Sequence, residues 1–171
     1  MKILVAQDYN ETTFVYRHSL EDRGHEVTVT TTGEDCLKEY HDKHNIITLH
    51  SDATDHIQPF DVVVLDYNIP QISGLEVAKE ILVVNPHQRI ILVIEYLSDA
   101  KLESIRKLNR LTGVLNKPFS EQILVDTIED KSIYTELKNM DVDIDLIRTA
   151  ELSHEQLIVA LDLLRKTQKQ K

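Results

Sequence analysis

Phe60-Asp61-Val62-Val63-Val64-Leu65-Asp66-Tyr67-Asn68-Ile69-Pro70 is the stretch that decides the fold. Residues 61 to 65 are rich in β-branched side chains with no polar alternation, the pattern of a strand buried on both faces of a parallel sheet. The run delivers one carboxylate, Asp66, to its end and then stops at Pro70. In an open α/β sheet ligands bind just beyond the carboxyl ends of the strands, so Asp66 reads as a candidate reacting group. Taken alone it reads equally as an Asp that begins a turn.

Working outward, strand and helix patterns alternate. Lys2 to Ala6 is a β-branched run, and Thr12 to Arg23 reads as a helix with Phe14, Val15 and Leu20 apolar before Gly24 closes it. His25 to Thr30 predicts a second strand and Gly33 to His44 a second helix, with Cys36, Leu37 and Tyr40 on one face. After the strand Asp61 to Leu65 come a helix from Ser73 to Val84, a strand Arg89 to Ile94, a helix from Ser98 to Leu111 and a short strand Gly113 to Asn116. This predicts a flavodoxin-like, doubly wound α/β fold with a five-stranded parallel sheet of order 2-1-3-4-5 and right-handed crossovers. A C-terminal helical extension follows, which divides the chain into 1–125 and 126–171.

Parallel strands bring their carboxyl ends to one edge. Strand one ends in Gln7-Asp8, strand three in Asp66 and strand five in Asn116-Lys117-Pro118. Two carboxylates and a lysine in one cleft suit a hard cation such as Mg²⁺, with the lysine free to pair with phosphoryl oxygens. A carboxylate so placed can act as a nucleophile toward phosphorus. The competing reading is an Asp–Lys pair that only orders the loops.

Composition narrows the classes. A chain of 171 residues with 42% hydrophobic content and a formal charge of −10 suits a globular protein that repels nucleic acid and takes basic or metal-loaded partners. No segment approaches the ~20 apolar residues that cross a bilayer, and Met1-Lys2 leads directly into a strand, so the expected location is cytoplasmic. The one cysteine, Cys36, excludes an intrachain disulfide and reads as a core residue.

Through Ile3-Leu4-Val5-Ala6-Gln7-Asp8, Val64-Leu65-Asp66-Tyr67-Asn68-Ile69-Pro70, Gly74 and Lys117-Pro118-Phe119, the first 125 or so residues resemble the receiver domain of two-component response regulators. The resemblance implies that Asp66 is the phosphoacceptor and Asp8 a direct Mg²⁺ ligand. It further implies that the Asn68 backbone carbonyl binds the metal, that Lys117 senses the phosphate, and that the bond before Pro118 is cis. The phosphate would come from a histidine kinase or phosphotransfer protein. Any enzymatic activity would be limited to self-catalysed phosphotransfer to Asp66 and autodephosphorylation.

Departures from the family pattern accompany these matches. Gln7 stands where receivers carry the first of two acidic residues, which should weaken Mg²⁺ binding and leave position 7 to act through a metal-bound water. At the end of strand four the family places a hydroxyl residue and then a small one, where this chain has Ile94 and Glu95. Ile94 cannot donate a hydrogen bond, and Glu95 adds bulk and charge where a phosphoryl donor would approach. The aromatic switch position is Val114. Ile94 and Val114 could equally serve to pack against helices. Phosphorylation is then read out differently, or the domain is an unphosphorylated pseudo-receiver acting by protein contacts.

Two further segments complete the reading. Between the second helix and strand three, His41, Asp42, His44, His50, Asp52, Asp55 and His56 invite a metal reading, with His41 and His44 at i, i+3, though they match no strong zinc motif. Ile46 to Leu49 is apolar enough to pack on the sheet edge. Beyond Phe119 a helix is expected from Ser120 as far as Met140, then Asp143 to Ala150, then a helix from Ser153 to Lys169 opened by a Ser153/Gln156 capping box. Residues 126–171 carry 10 acidic and 7 basic side chains and no glycine-marked helix-turn-helix, so DNA binding is not expected. A bundle serving as a homodimer or partner contact is expected, and an antiterminator-type RNA-binding output is disfavoured by the acidity.

Overall fold

The computed structural model describes residues 1–8, 11–50, 58–96, 98–108, 113–150 and 152–168. It divides into two compact units, Met1–Glu121 and Gln122–Lys171. The first holds strands β1 (Lys2–Ala6), β2 (Glu26–Thr30), β3 (Val62–Asp66), β4 (Ile90–Ile94) and β5 (Gly113–Asn116). All are parallel in the order β2-β1-β3-β4-β5. Between them run α1 (Glu11–Glu21), α2 (Gly33–His50), α3 (Gly74–Val84) and α4 (Asp99–Arg106).

β3 lies between β1 and β4, and all five of its residues are buried, as are all five of β4. Side chains on these strands alternate between the faces. Leu4, Ala6, Val63, Leu65, Ile90, Leu92 and Ile94 join Cys36 and Tyr40 of α2, Val77, Ala78 and Ile81 of α3, and Ile105 of α4 in one apolar cluster. Ile3, Val5, Val62, Val64, Ile91 and Val93 are buried on the opposite face. The right-handed crossover from β1 to β2 places α1 there, with Tyr16 and Leu20 buried. Val15, one of the apolar side chains expected on the buried side of this helix, is exposed.

At the amino edge of the sheet a buried polar network ties α2 to the strands. The Tyr40 hydroxyl donates to Gln88 Oε1 at 2.9 Å and accepts from Asn85 Nδ2 at 3.2 Å. Gln88 Nε2 in turn donates to the carbonyls of Phe60 and Arg89 at 3.0 and 3.2 Å. Each buried polar group thereby exchanges water for a protein partner, which is the condition for its burial.

The second helix is longer than its sequence suggests. It continues to His50 because no Gly or Pro interrupts residues 34 to 50, and the inward row Tyr40, His44, Ile47 extends its buried face. The His44 ring stacks on Tyr40 and His41 meets the same ring edge-on, so both rings are engaged in packing. Ile46 and Leu49, expected to pack on the sheet edge, are exposed on this helix. Asp52, Asp55 and His56 lie outside the described residues. Among those described, no group of three or more His, Cys, Asp or Glu side chains is placed to hold a metal.

Beyond the sheet, the single long helix expected from Ser120 to Met140 is two helices, α5 (Glu121–Ile128) and α6 (Lys131–Asn139). Asp130 takes a left-handed conformation, φ 58°, which ends the first helical run. Its sequence signal is the five-residue step from Ile128 to Ile133, out of phase with a 3.6-residue repeat. His154 Nδ1 lies 2.8 Å from the Asp130 carboxylate. α7 (Ile144–Thr149) is capped by Asp143, and α8 (His154–Gln168) by the reciprocal Ser153/Gln156 bonds read from the sequence. Ile133, Leu137, Leu157 and Leu161 form the core of this second unit, bordered by the fork of Arg165 on Glu136 at 2.7 and 2.6 Å.

Two consequences for stability can be measured. A Cβ at Gly74 would lie 2.2 Å from the Asp66 carbonyl oxygen. Gly74→Ala is therefore expected to lower unfolding free energy by about 1–3 kcal/mol in urea titrations, whereas Val83→Ala on an exposed turn should change it by less than ~0.5 kcal/mol. Burial pushes the Cys36 thiol from 9.0 to about 12. The folded state holds the proton where the unfolded chain loses it, so this contribution is complete below pH 9 and is lost as pH rises toward 12. Thiol reagents at pH 8 should label Cys36 only at the rate of unfolding.

Candidate functional site

At the carboxyl edge of the sheet the strand ends assemble a small polar cleft. Asp66 is the last residue of β3 and 5% exposed. Such a carboxylate must be paired to remain charged. Lys117, just beyond β5, donates from Nζ to Asp66 Oδ2, and the Asn68 backbone N–H donates to Oδ1 at 3.1 Å. The Lys117–Pro118 peptide is cis. Lys117 Nζ is in turn anchored by its backbone, whose N–H bonds the carbonyl of Ile94 at 2.8 Å.

The loop after β3 is held tightly against its neighbours. Gly74 N–H bonds the Tyr67 carbonyl and Gly33 N–H the Pro70 carbonyl, both at 3.1 Å. Neither position admits a Cβ, since one on Gly33 would meet the Ile72 carbonyl at 2.4 Å. Ser73 and Glu76 close a capping box at the start of α3, and Gln71 between them and Pro70 takes a positive φ of 71°. The backbone carbonyls and amides of residues 66 to 74 are thereby fixed relative to the strand end.

Two side chains near the strand ends, Tyr16 and Lys101, lie outside the candidate residues that the sequence marks. Tyr16 on α1 is buried and stacks on Phe119 with ring centroids 5.5 Å apart. Burial, and then the charges of Asp66 and Glu121, raise its hydroxyl above the ordinary value of 10.0. Its helical spacing to Leu20 was the available signal. Lys101 of α4 sits 4.5 Å from the centre of the Tyr67 ring and donates to the Tyr96 carbonyl at 3.3 Å. That cation–π contact joins the loop after β3 to the loop after β4. No sequence spacing announces it.

The remaining positions fall as follows. Asp8 is exposed at the end of β1, one residue after buried Gln7. Asn68 is exposed. Ile94 is fully buried within the cluster beneath the sheet, and Glu95 is exposed at the rim. Val114, for which packing against helices is the alternative to a lost switch, is 37% exposed on the edge strand β5. Asp8, Asp66 and the Asn68 carbonyl would make a hard oxygen set, the kind suited to Mg²⁺, which takes one or two carboxylates and keeps several waters. The same set lacks the nitrogen and sulfur ligands of a zinc site.

Comparison with known proteins agrees with this geometry. A family model of the response regulator receiver domain matches residues 3–129. The chain is 26% identical over 135 residues to a chemotaxis protein CheY homolog of Campylobacter jejuni, covering 76% of this chain and 91% of the relative. Its fold matches a CheY-like receiver domain from Methanospirillum hungatei with a TM-score of 0.62 at 19% identity, covering 76% of this chain and 91% of the other. It also matches the receiver domain of a Pseudomonas aeruginosa sensor histidine kinase, which carries magnesium in its active-site cleft, with a TM-score of 0.60 at 18% identity, covering 75% and 94% of the two chains. No helix among the described residues is long and apolar enough to cross a membrane. With its sheet order, its buried strand-end aspartate and the family match across most of its length, the chain belongs to the response regulator receiver domain family of two-component systems.

Proposed function

We propose that the protein accepts a phosphoryl group on Asp66 from a histidine kinase or phosphotransfer protein and signals through protein contacts. The observation that carries this reading is the buried Asp66 carboxylate, held by Lys117 and the Asn68 N–H at the open end of the sheet. An Asp66 oxygen bonds to phosphorus as the P–N bond of a phosphohistidine breaks, and that electron pair leaves with the imidazole. Lys117, already in contact with Asp66, offsets charge on the incoming oxygens. Asp8, Asp66 and the Asn68 carbonyl would hold Mg²⁺, which supplies further charge neutralisation when bound. Water attacking the same phosphorus releases phosphate and restores the carboxylate. Neutral Gln7 leaves the site one negative charge short of an acidic pair, which weakens its hold on the metal.

A second reading, an unphosphorylated interaction module, draws on Ile94 and Val114. Ile94 is enclosed in the core and offers no hydroxyl, and Val114 replaces an aromatic ring on β5. Val159 and Leu163, at i, i+4 on α8, are 58% and 59% exposed, which suits unit Gln122–Lys171 to contact a second copy or a partner. Sedimentation equilibrium should then show self-association that Leu163→Glu weakens.

Acetyl phosphate labelling separates the two readings. Incorporation should require millimolar Mg²⁺, vanish with EDTA and be absent in Asp66→Asn. Glu95→Ala should label several-fold faster, since removing a charge at the rim relieves a repulsion of roughly 1 kcal/mol. Unlabelled wild-type protein at saturating Mg²⁺ would sink the acceptor reading and favour the interaction module.

A further inference from the structure

Gln7 is 3% exposed, and its Nε2 has no hydrogen-bond partner among the described residues. A buried donor without an acceptor costs free energy, and a ligand oxygen at the strand end would recover that cost. Its place is informative. The pair Ala6↔Leu65 is the last in the β1–β3 register, and the Gln7 N–H continues the ladder to the Thr30 carbonyl at 3.1 Å. Gln7 therefore stands level with Asp66 on the adjacent strand. Ala6 and Leu65 both face the α2–α3 cluster, so the pleat turns Gln7 and Asp66 together onto the other face.

The neighbours of Asp66 define what is missing. Across β4 its register partner is Val93, which is apolar, and Ile94 faces the opposite side within the core. β4 thus contributes no side-chain donor. Lys117 supplies one from the β5 side. A phosphoryl group on Asp66 would bring three terminal oxygens into this space, and the strand beside it presents the Gln7 amide, unpaired among the described residues.

Resting on the reading of Asp66 as acceptor, we propose that Gln7 Nε2 donates a hydrogen bond to a terminal oxygen of the group carried on Asp66. Position 7 is then a positioning donor for the anion, in place of a carboxylate that orders a metal. A carboxylate there would repel those oxygens, whereas the amide attracts them and costs the site one unit of charge toward Mg²⁺. The substitution trades metal affinity for a direct contact to the anion.

Beryllofluoride titration of the full chain at saturating Mg²⁺, followed by ¹⁹F and ¹⁵N NMR, tests this. Wild-type protein should form the adduct, with the Gln7 side-chain amide protons moving downfield. Gln7→Leu should bind beryllofluoride roughly 10- to 100-fold more weakly, the loss of one hydrogen bond to a charged group. Gln7→Glu should bind it more weakly still while binding Mg²⁺ alone more tightly than wild type. Thermal melts supply a check on folding: free Gln7→Leu should melt no lower than wild type, because it removes an unpaired buried donor, and should gain less stability from beryllofluoride. Equal affinity in wild type and Gln7→Leu, or an unmoved amide in a formed adduct, overturns the assignment while leaving the acceptor reading intact. Wild-type protein that binds Mg²⁺ but forms no adduct overturns both.

Discussion

The ion pair of Asp66 and Lys117 joins residues 51 positions apart across the carboxyl edge of the sheet. Asp66 is removed from water by its place at the end of β3, and a carboxylate so placed stays charged only with a partner. Lys117 follows directly on β5, two strands over from β3, and its side chain spans the width of β4 to meet the carboxylate. Desolvating two charges costs about as much as their attraction returns, so the pair adds little net stability. Its consequence is geometric: a carboxylate oxygen and a cation are held together at the open edge of the sheet.

Around that pair backbone segments come into close contact. The missing Cβ atoms at Gly33 and Gly74 let α2 and α3 approach the loop after β3 to backbone contact. The capping box of Ser73 and Glu76 sets the first turn of α3, and the lysine of α4 sits on the ring of Tyr67. Three helices therefore constrain one loop of seven residues, which is how the Asn68 amide and carbonyl keep their relation to Asp66. Elsewhere, as along the exposed turns of α3 and the end of α2, the chain tolerates apolar residues facing water.

Much of this was legible in particular residues. Val62 to Leu65 announces a central parallel strand, and Asp66, Asp8 and Lys117 follow from where such strands end. The capping boxes at Ser73 and Ser153 are visible as residue pairs three apart. Other features were hidden for physical reasons. Tyr16 is marked only by its four-residue spacing to Leu20, which puts it on the buried side of α1 without naming its partner Phe119, and Lys101 meets Tyr67 only because the fold brings α4 to the loop after β3. The division between α5 and α6 depends on one residue, Asp130, in a conformation that its type permits without requiring.

Local pattern by itself determined the alternation of strands and helices and the candidate Asp66 at a strand end, because a strand buried on both faces reads as a short continuous apolar run bounded by turn residues. It determined too that position 7 is neutral and positions 94 and 114 are aliphatic. Tertiary structure decided what those substitutions mean. Register placed Gln7 level with Asp66 and buried its amide without a partner among the described residues, turned Ile94 into the core, and left Val114 half-open on the edge strand. Which face a side chain takes, and what stands opposite it, depends on pairing between strands distant in sequence, and that information exists only once the sheet has formed.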